Sequence, residues 1–169
     1  MRIHLDTDLG GDTDDACALA MLLGWPEAEI TGITTVADPG GRRAAYVAHL
    51  LRLAGRDDIP LAAGAEVSAT TLGLADPVDD ERHWPASVTP RPAPPGAALD
   101  LLERSLATGA TLVAIGPYTN LAACAGSRSS SWVAGSSRPR QASRGGGQRW
   151  TSTCNGTREL PRWSRPLLG

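Results

Sequence analysis

A short apolar strand runs straight into an acidic loop. "RIHL" (residues 2–5) is β-prone, and the stretch after it places Asp6, Asp8, Asp12, Asp14 and Asp15 within ten positions. No Lys or Arg lies between Arg2 and Arg42 to offset them. Any fold this chain adopts has to accommodate that crowding at the end of its first strand. Helix capping accounts for two of the five, with Asp12 as N-cap and Asp15 three residues on, both favoured by the helix dipole. Asp6 and Asp8 differ, because alternate residues at a strand end point the same way. Like charges so close either raise their pKa values or require a cation.

A hard divalent cation is the economical answer, since every ligand on offer is an oxygen and neither His nor Cys accompanies the carboxylates. An EF-hand is excluded by pattern. Counted from Asp6, position twelve is Cys17 where a bidentate Glu belongs, and a strand precedes the loop. A phosphate-binding loop is excluded because this loop is acidic and lacks GK[ST].

Downstream the pattern alternates. Helix formers fill 14–25 and stop at Gly24 and Pro26, and "EITGITTV" (29–36) reads as a second strand. Residues 40–55 read as a helix with Ala45, Val47, Ala48, Leu51 and Leu53 largely on one face. "IPLAAG" is a third strand, 66–95 is loop-like and proline-rich, 96–109 is a helix, and "TLVAIG" is a fourth strand leading into "PYTNLAAC". This order predicts an α/β fold, a Rossmann-like and mainly parallel sheet with flanking helices. Ligands in such sheets sit beyond the carboxyl ends of the strands. The loops 6–15, 37–41 and 116–120 each follow a strand, so they should converge on one rim.

The chain has 169 residues, of which 41% are hydrophobic, enough for one domain with a real core. It has neither a long apolar span nor a basic, apolar leader, so a cytoplasmic protein with no membrane partner is expected. Cys17, Cys124 and Cys154 are too few and too scattered for a disulfide framework and read as free thiols. Charge is uneven: residues 1–125 carry 8 Arg against 17 acids, whereas 126–169 carry 8 Arg against Glu159 alone. From Gly126 the chain is Ser, Arg, Gly and Trp without apolar periodicity. We expect an α/β domain over 1–125 and an irregular basic tail over 126–169. Nucleic-acid binding by that tail is not expected, because its Arg and Trp residues have no periodic scaffold.

"DTDLGGDTDDACAL" (6–19) resembles the N-terminal signature of the inosine-uridine preferring nucleoside hydrolases, of the type DTDxGxDDA with a loop two residues longer. "ITGITTV", "LLRLAGRDDIPLAAGA" and "TLVAIGPYTNLAA" are similar to further segments of that family, in order, so the resemblance covers residues 1 to about 125. It implies an enzyme that cleaves the N-glycosidic bond of ribonucleosides with the help of Ca²⁺ held at the end of the first strand. Carried over by position, Asp8, Asp15 and the Thr119 main-chain carbonyl would be metal ligands. Asp14 would be the general base and Asp6 would support the loop. Asn120 would stabilise the loop or face the ribose. The family places an Asn after the second strand; here "ADPGG" offers Asp38 in its place. Asp12 lies in the insertion and has no counterpart. The implied partner is a small ribonucleoside, and a homo-oligomer stays open.

His4 and His49 read as packing or surface residues, and His83 lies in the long loop. A rival reading is a haloacid-dehalogenase-like phosphatase that needs Mg²⁺, since "IHLDTD" also resembles that family's strand and DxD, with Asp6 as nucleophile and Asp8 as acid/base. That family usually uses a downstream Lys, and this chain has none. A second rival is a truncated fragment without enzymatic function.

Complete members of the nucleoside hydrolase family are longer, supplying a further Asp ligand and a His beyond this chain, so the expectation is an N-terminal part with little or no turnover. The family continues with MGG and, later, [DE]FN. One reading frame away, "SSSWVAG" can encode [VIL][VIL]MGG, and "RWTSTCNGTREL" can encode MDFNVQWDTRA. A frameshift near residue 126 is the expectation. Sequencing the gene around codons 120 to 155 decides it.

Overall fold

The computed structural model describes residues 1–11, 13–69, 73–74, 84 and 88–133, with 73–74 and 127–133 as backbone only. Four parallel strands form the main sheet: β1 (Arg2–Thr7), β2 (Glu29–Thr35), β3 (Leu61–Ala63) and, later in the chain, β6 (Thr111–Ala114). Their spatial order is β3-β2-β1-β6, which puts β1 inside and makes its carboxyl end the middle of the rim. Helices α1 (Asp14–Gly24), α2 (Arg42–Leu53), α3 (Ala97–Ala107) and α4 (Thr119–Val133) connect and cover the strands.

β1 and β2 are short, yet nearly every residue in them is buried, as expected for parallel strands covered on both faces. On one face Leu5, Leu9, Leu19, Ile33, Tyr46, Val47 and Leu51 form the main core. Burying each large aliphatic side chain there contributes about 1.5–3 kcal/mol. On the other face Ala62 packs with Ala98 and Leu101 of α3. Gly32 is the close approach on that side. A methyl group there would stand 2.9 Å from Leu101 Cδ1 and 3.2 Å from His4 Nδ1, so glycine is what lets α3 and the His4 ring share the space.

The α/β, mainly parallel expectation therefore holds, with three differences in detail. The stretch read as loop contains a small antiparallel hairpin, β4 (Val67–Ser68) with β5 (Gly73–Leu74). Leu53, placed on the apolar face of the second helix, is 73% exposed, because that helix ends there and turns away at Gly55. The helical backbone of α4 continues to Val133, beyond the boundary expected at 125. Asp12, His83, Cys154 and residues 134–169 lie outside the described residues. Among the described residues Cys17 is a free, exposed thiol, and no helix is long and apolar enough to cross a membrane.

Candidate active site at the end of the first strand

The loop after β1 is shaped by its own Leu9 and Gly10 and by contacts from Trp84 and from α2. Leu9 is fully buried and plugs it into the core, while Gly10 adopts φ 151°, a conformation open to glycine. Trp84 stacks on Tyr46 of α2 with ring centroids 4.5 Å apart, and its indole Nε1–H donates to the Gly10 carbonyl at 3.0 Å. Arg43, buried in the first turn of α2, donates from Nη1 to the Asp8 carbonyl and from Nε to the Ala37 carbonyl. The positive charge missing from the local sequence is thus delivered through space. It reaches the loop's main chain at the Asp8 carbonyl.

The structure brings four of the aspartates together. Asp15 is buried, and its Oδ2 accepts a hydrogen bond from Thr7 Oγ1 at 2.9 Å. The Asp8 carboxylate faces it within hydrogen-bonding reach. Burial pushes the Asp15 carboxyl up to about 6, helped by repulsion from Asp8 and Asp14 and opposed by the Thr7 hydroxyl. Asp14 is exposed, and its Oδ1 accepts the Asp15 backbone N–H. Asp6, fully buried, is raised chiefly by burial; bonds from Thr34 and Asn120 oppose the shift, and the nearby Asp8 adds to it.

Capping does not explain Asp15, because its carboxylate goes to Thr7. The residue preceding α1 is Thr13, which makes no side-chain cap. Asp38, which stands where the family has an Asn and is open in the sequence to a substrate-binding or a supporting role, is 1% exposed. Its Oδ2 accepts from Thr35 Oγ1 and the Ala44 N–H, and its Oδ1 from the Arg43 N–H. That makes it the cap of α2, a supporting residue set apart from the acidic cleft.

Asn120 is buried in the same supporting sense. Its Nδ2 donates to Asp6 Oδ1 and to the Thr35 carbonyl, and its Oδ1 accepts the Ala65 N–H, so one amide ties the ends of β1 and β2 to the segment after β3. Thr119 opens α4, and its hydroxyl accepts the Ala69 N–H at 2.8 Å. The loop leading to it lies against the acidic cluster. A methyl group on Gly116 would stand 2.7 Å from Asp8 Oδ1. Among the described residues no group of three or more His, Cys, Asp or Glu side chains is arranged to hold a metal. The cation-fitting feature is the facing Asp8–Asp15 pair, oxygen donors only, so main-chain carbonyls or solvent would have to complete a coordination shell.

Arg43, Trp84, Thr7, His4 and Thr34 all shape this region, and none was singled out for it from the sequence. Arg43 and Trp84 act from distant positions with no local motif. Thr7 carried a readable signal, since it sits between two of the aspartates in "DTD".

Fold and site together define a parallel α/β protein with a carboxylate cleft where its central strand ends. The chain belongs to the inosine-uridine preferring nucleoside hydrolase family, whose model matches residues 3–130. It is 37% identical over 131 residues to the pyrimidine-specific ribonucleoside hydrolase RihA of Photobacterium profundum, covering 71% of this chain and 41% of that protein. With the probable uridine nucleosidase 2 of Arabidopsis thaliana it shares 34% identity over 132 residues, 72% of this chain and 40% of the relative. A solved plant nucleoside hydrolase, the PpNRh1 enzyme, superposes with a TM-score of 0.61 at 29% identity, covering 75% of this chain and 42% of that one. The chain thus spans about two-fifths of the length of the relatives it matches.

Proposed function

We propose that the Asp6–Asp15 loop forms the cation- and ribose-binding side of a ribonucleoside hydrolase site, which cleaves the N-glycosidic bond to release base and ribose. The observation that carries this reading is the facing, half-buried Asp8 and the Thr7-held Asp15, in a chain whose family match spans that loop. The family's chemistry is metal-dependent, and Ca²⁺ suits an oxygen-only donor set. Asp8, Asp15 and the Thr119 carbonyl would hold it. Once bound, such an ion supplies Lewis acidity that lowers the pKa of a water and orients sugar hydroxyls.

The remaining chemistry falls to the chain itself. Glycosidic cleavage builds positive charge on the ribose, and a cluster of carboxylates beside the sugar stabilises it. Asp14, exposed at the mouth, is the candidate general base: Oδ1 is taken by the Asp15 N–H and Oδ2 is left to accept a proton from water. A second reading gives that role to Asp8. It is favoured by the placement of Asp8 inside the cleft against both Asp15 and Gly116, where Asp14 is more open. Asp8→Asn and Asp14→Asn separate the two, since loss of the base lowers turnover at saturating cation and loss of a ligand lowers cation affinity.

Calorimetry of the full chain with Ca²⁺ and ribose, run beside an assay for base release from inosine and uridine, tests the whole reading. Calcium binding that Asp15→Asn abolishes, together with calcium-dependent ribose binding, is the expected result. Magnesium-dependent phosphate release without nucleoside cleavage would transfer the site to the phosphatase alternative.

A further inference from the structure

A second line of buried polar groups lies behind the acidic cleft. His4 is fully buried in β1, and its Nε2 lies 3.1 Å from Thr34 Oγ1 on β2. The Thr34 hydroxyl donates its only proton to Asp6 Oδ1. His4 Nε2 must therefore carry the proton in that contact, and the chain of bonds has a direction, from His4 through Thr34 to Asp6. Asn120 Nδ2 donates to the same Asp6 oxygen at 2.8 Å. Two donors from different elements converge on Oδ1, while Oδ2, also buried, has no partner among the described residues.

A buried carboxylate oxygen without a donor costs about 1–3 kcal/mol or more, and such an atom in a native fold calls for an explanation. Here the carboxylate cannot rotate to share its donors, because Oδ1 is held from two sides. Asp8, two residues on, is near enough for the two charges to repel. An acceptor kept bare beside a candidate cation ligand is what an outer hydrogen-bonding shell around a hydrated ion requires.

We propose that His4 and Thr34 are positioning residues: their directed hydrogen-bond chain, with Asn120, locks Asp6 so that Oδ2 stays available beside the Asp8–Asp15 pair as an acceptor for the water shell of a bound divalent cation. This rests on the cation reading given above and extends it to two residues on the far side of Asp6. Neither His4 nor Thr34 touches substrate or cation; both act through Asp6.

The test uses the full chain, calcium as the probe, calorimetry for affinity, and ¹⁵N–¹H spectra of the imidazole as a readout independent of turnover. Thr34→Val removes the hydroxyl at similar shape, and Thr34→Ser keeps it. The expected results are an imidazole protonated at Nε2 and bare at Nδ1, a ring signal that moves when calcium is added, and calcium affinity lowered about tenfold or more in Thr34→Val. Thr34→Ser should restore that affinity. A wild-type chain that binds no calcium overturns the cation reading and this inference with it. If the wild type binds calcium and Thr34→Val binds it equally well while losing only thermal stability, the inference alone falls, since a purely structural hydroxyl would behave that way. Protonation at Nδ1, or a ring signal that calcium leaves unmoved, also overturns it, and both are read on the wild type should Thr34→Val fail to fold.

Discussion

Gly116 and Asp8 meet across the cleft so closely that a Cβ on the glycine would lie 2.7 Å from Asp8 Oδ1 and 2.9 Å from the Asp8 backbone nitrogen. The β6–α4 loop therefore packs directly against the Asp8 carboxylate. Gly116→Ala should push the Asp8 carboxylate away from Asp15. We expect calcium affinity to fall about tenfold or more, with an overpacking cost of about 1–3 kcal/mol in urea denaturation. Calorimetry that finds the alanine variant binding calcium like the wild type would show that this loop does not set the Asp8 position.

Thr7 serves two buried partners at once, donating to Asp15 Oδ2 and accepting the Leu9 N–H at 3.1 Å. Thr7→Val removes both bonds and keeps the shape. It should destabilise the chain by about 1–3 kcal/mol. Because the Thr7 bond holds the Asp15 carboxyl down, the variant should also titrate Asp15 higher than the wild-type value of about 6. Carboxyl ¹³C shifts followed through a pH series measure this directly, and an Asp15 titration that stays put or drops would contradict the role given to Thr7.

Asn120 makes three bonds from one buried amide, and Gly64 gives it room, since a methyl group on that glycine would stand 2.6 Å from either amide head atom. Asn120→Leu strands the Ala65 N–H and the Thr35 carbonyl together, and should cost about 3 kcal/mol or more. Asn120→Asp should be worse at neutral pH, because it sets a second charge against Asp6 and turns an acceptor toward the Thr35 carbonyl. Thermal denaturation ranks the two. An Asn120→Leu chain as stable as the wild type would mean that the three bonds do not hold the rim together.

Much of this arrangement is legible in the sequence, for physical reasons that also mark where the reading stops. Period-two and period-3.6 patterns are local, so β1, α1, β2 and α2 are placed within a few residues of their observed bounds. The β4–β5 hairpin escapes because each of its strands has two residues, too short to show alternation. The acidic cluster stands out because the crowding of charge is itself a sequence pattern, and the fold brings Asp8 and Asp15 next to each other. Asp38 stays open between a substrate-binding and a supporting role in the sequence, because the same residue type in a post-strand loop serves either, and only in the folded chain do the Arg43 and Ala44 N–H groups turn to its carboxylate. Arg43 and Trp84 are invisible in advance, since what matters is how α2 and a distant loop fold back onto Asp8 and Gly10.

His4 gives a pH signature of definite sign. Burial lowers its imidazole from the ordinary 6.5 to about 4, so between those values the unfolded chain takes up a proton that the folded chain refuses. The stabilising contribution of neutral His4 is fully present above about 6.5 and is lost as pH falls toward 4, a total of about 3 kcal/mol at 1.36 kcal/mol per unit. Asp15 works in the opposite sense: its folded value of about 6 lies above the ordinary 3.8, so it adds stability as pH drops through that window. The two trends partly cancel in the wild type, and a single variant is needed to separate them. His4→Gln keeps a donor for Thr34 and does not titrate. Urea denaturation from pH 7.5 to 4 should show the wild type losing about 3 kcal/mol more than His4→Gln over that range. Parallel pH profiles for the two proteins would mean that His4 titrates in the folded chain as it does in the unfolded one, in conflict with its burial between β1 and β2.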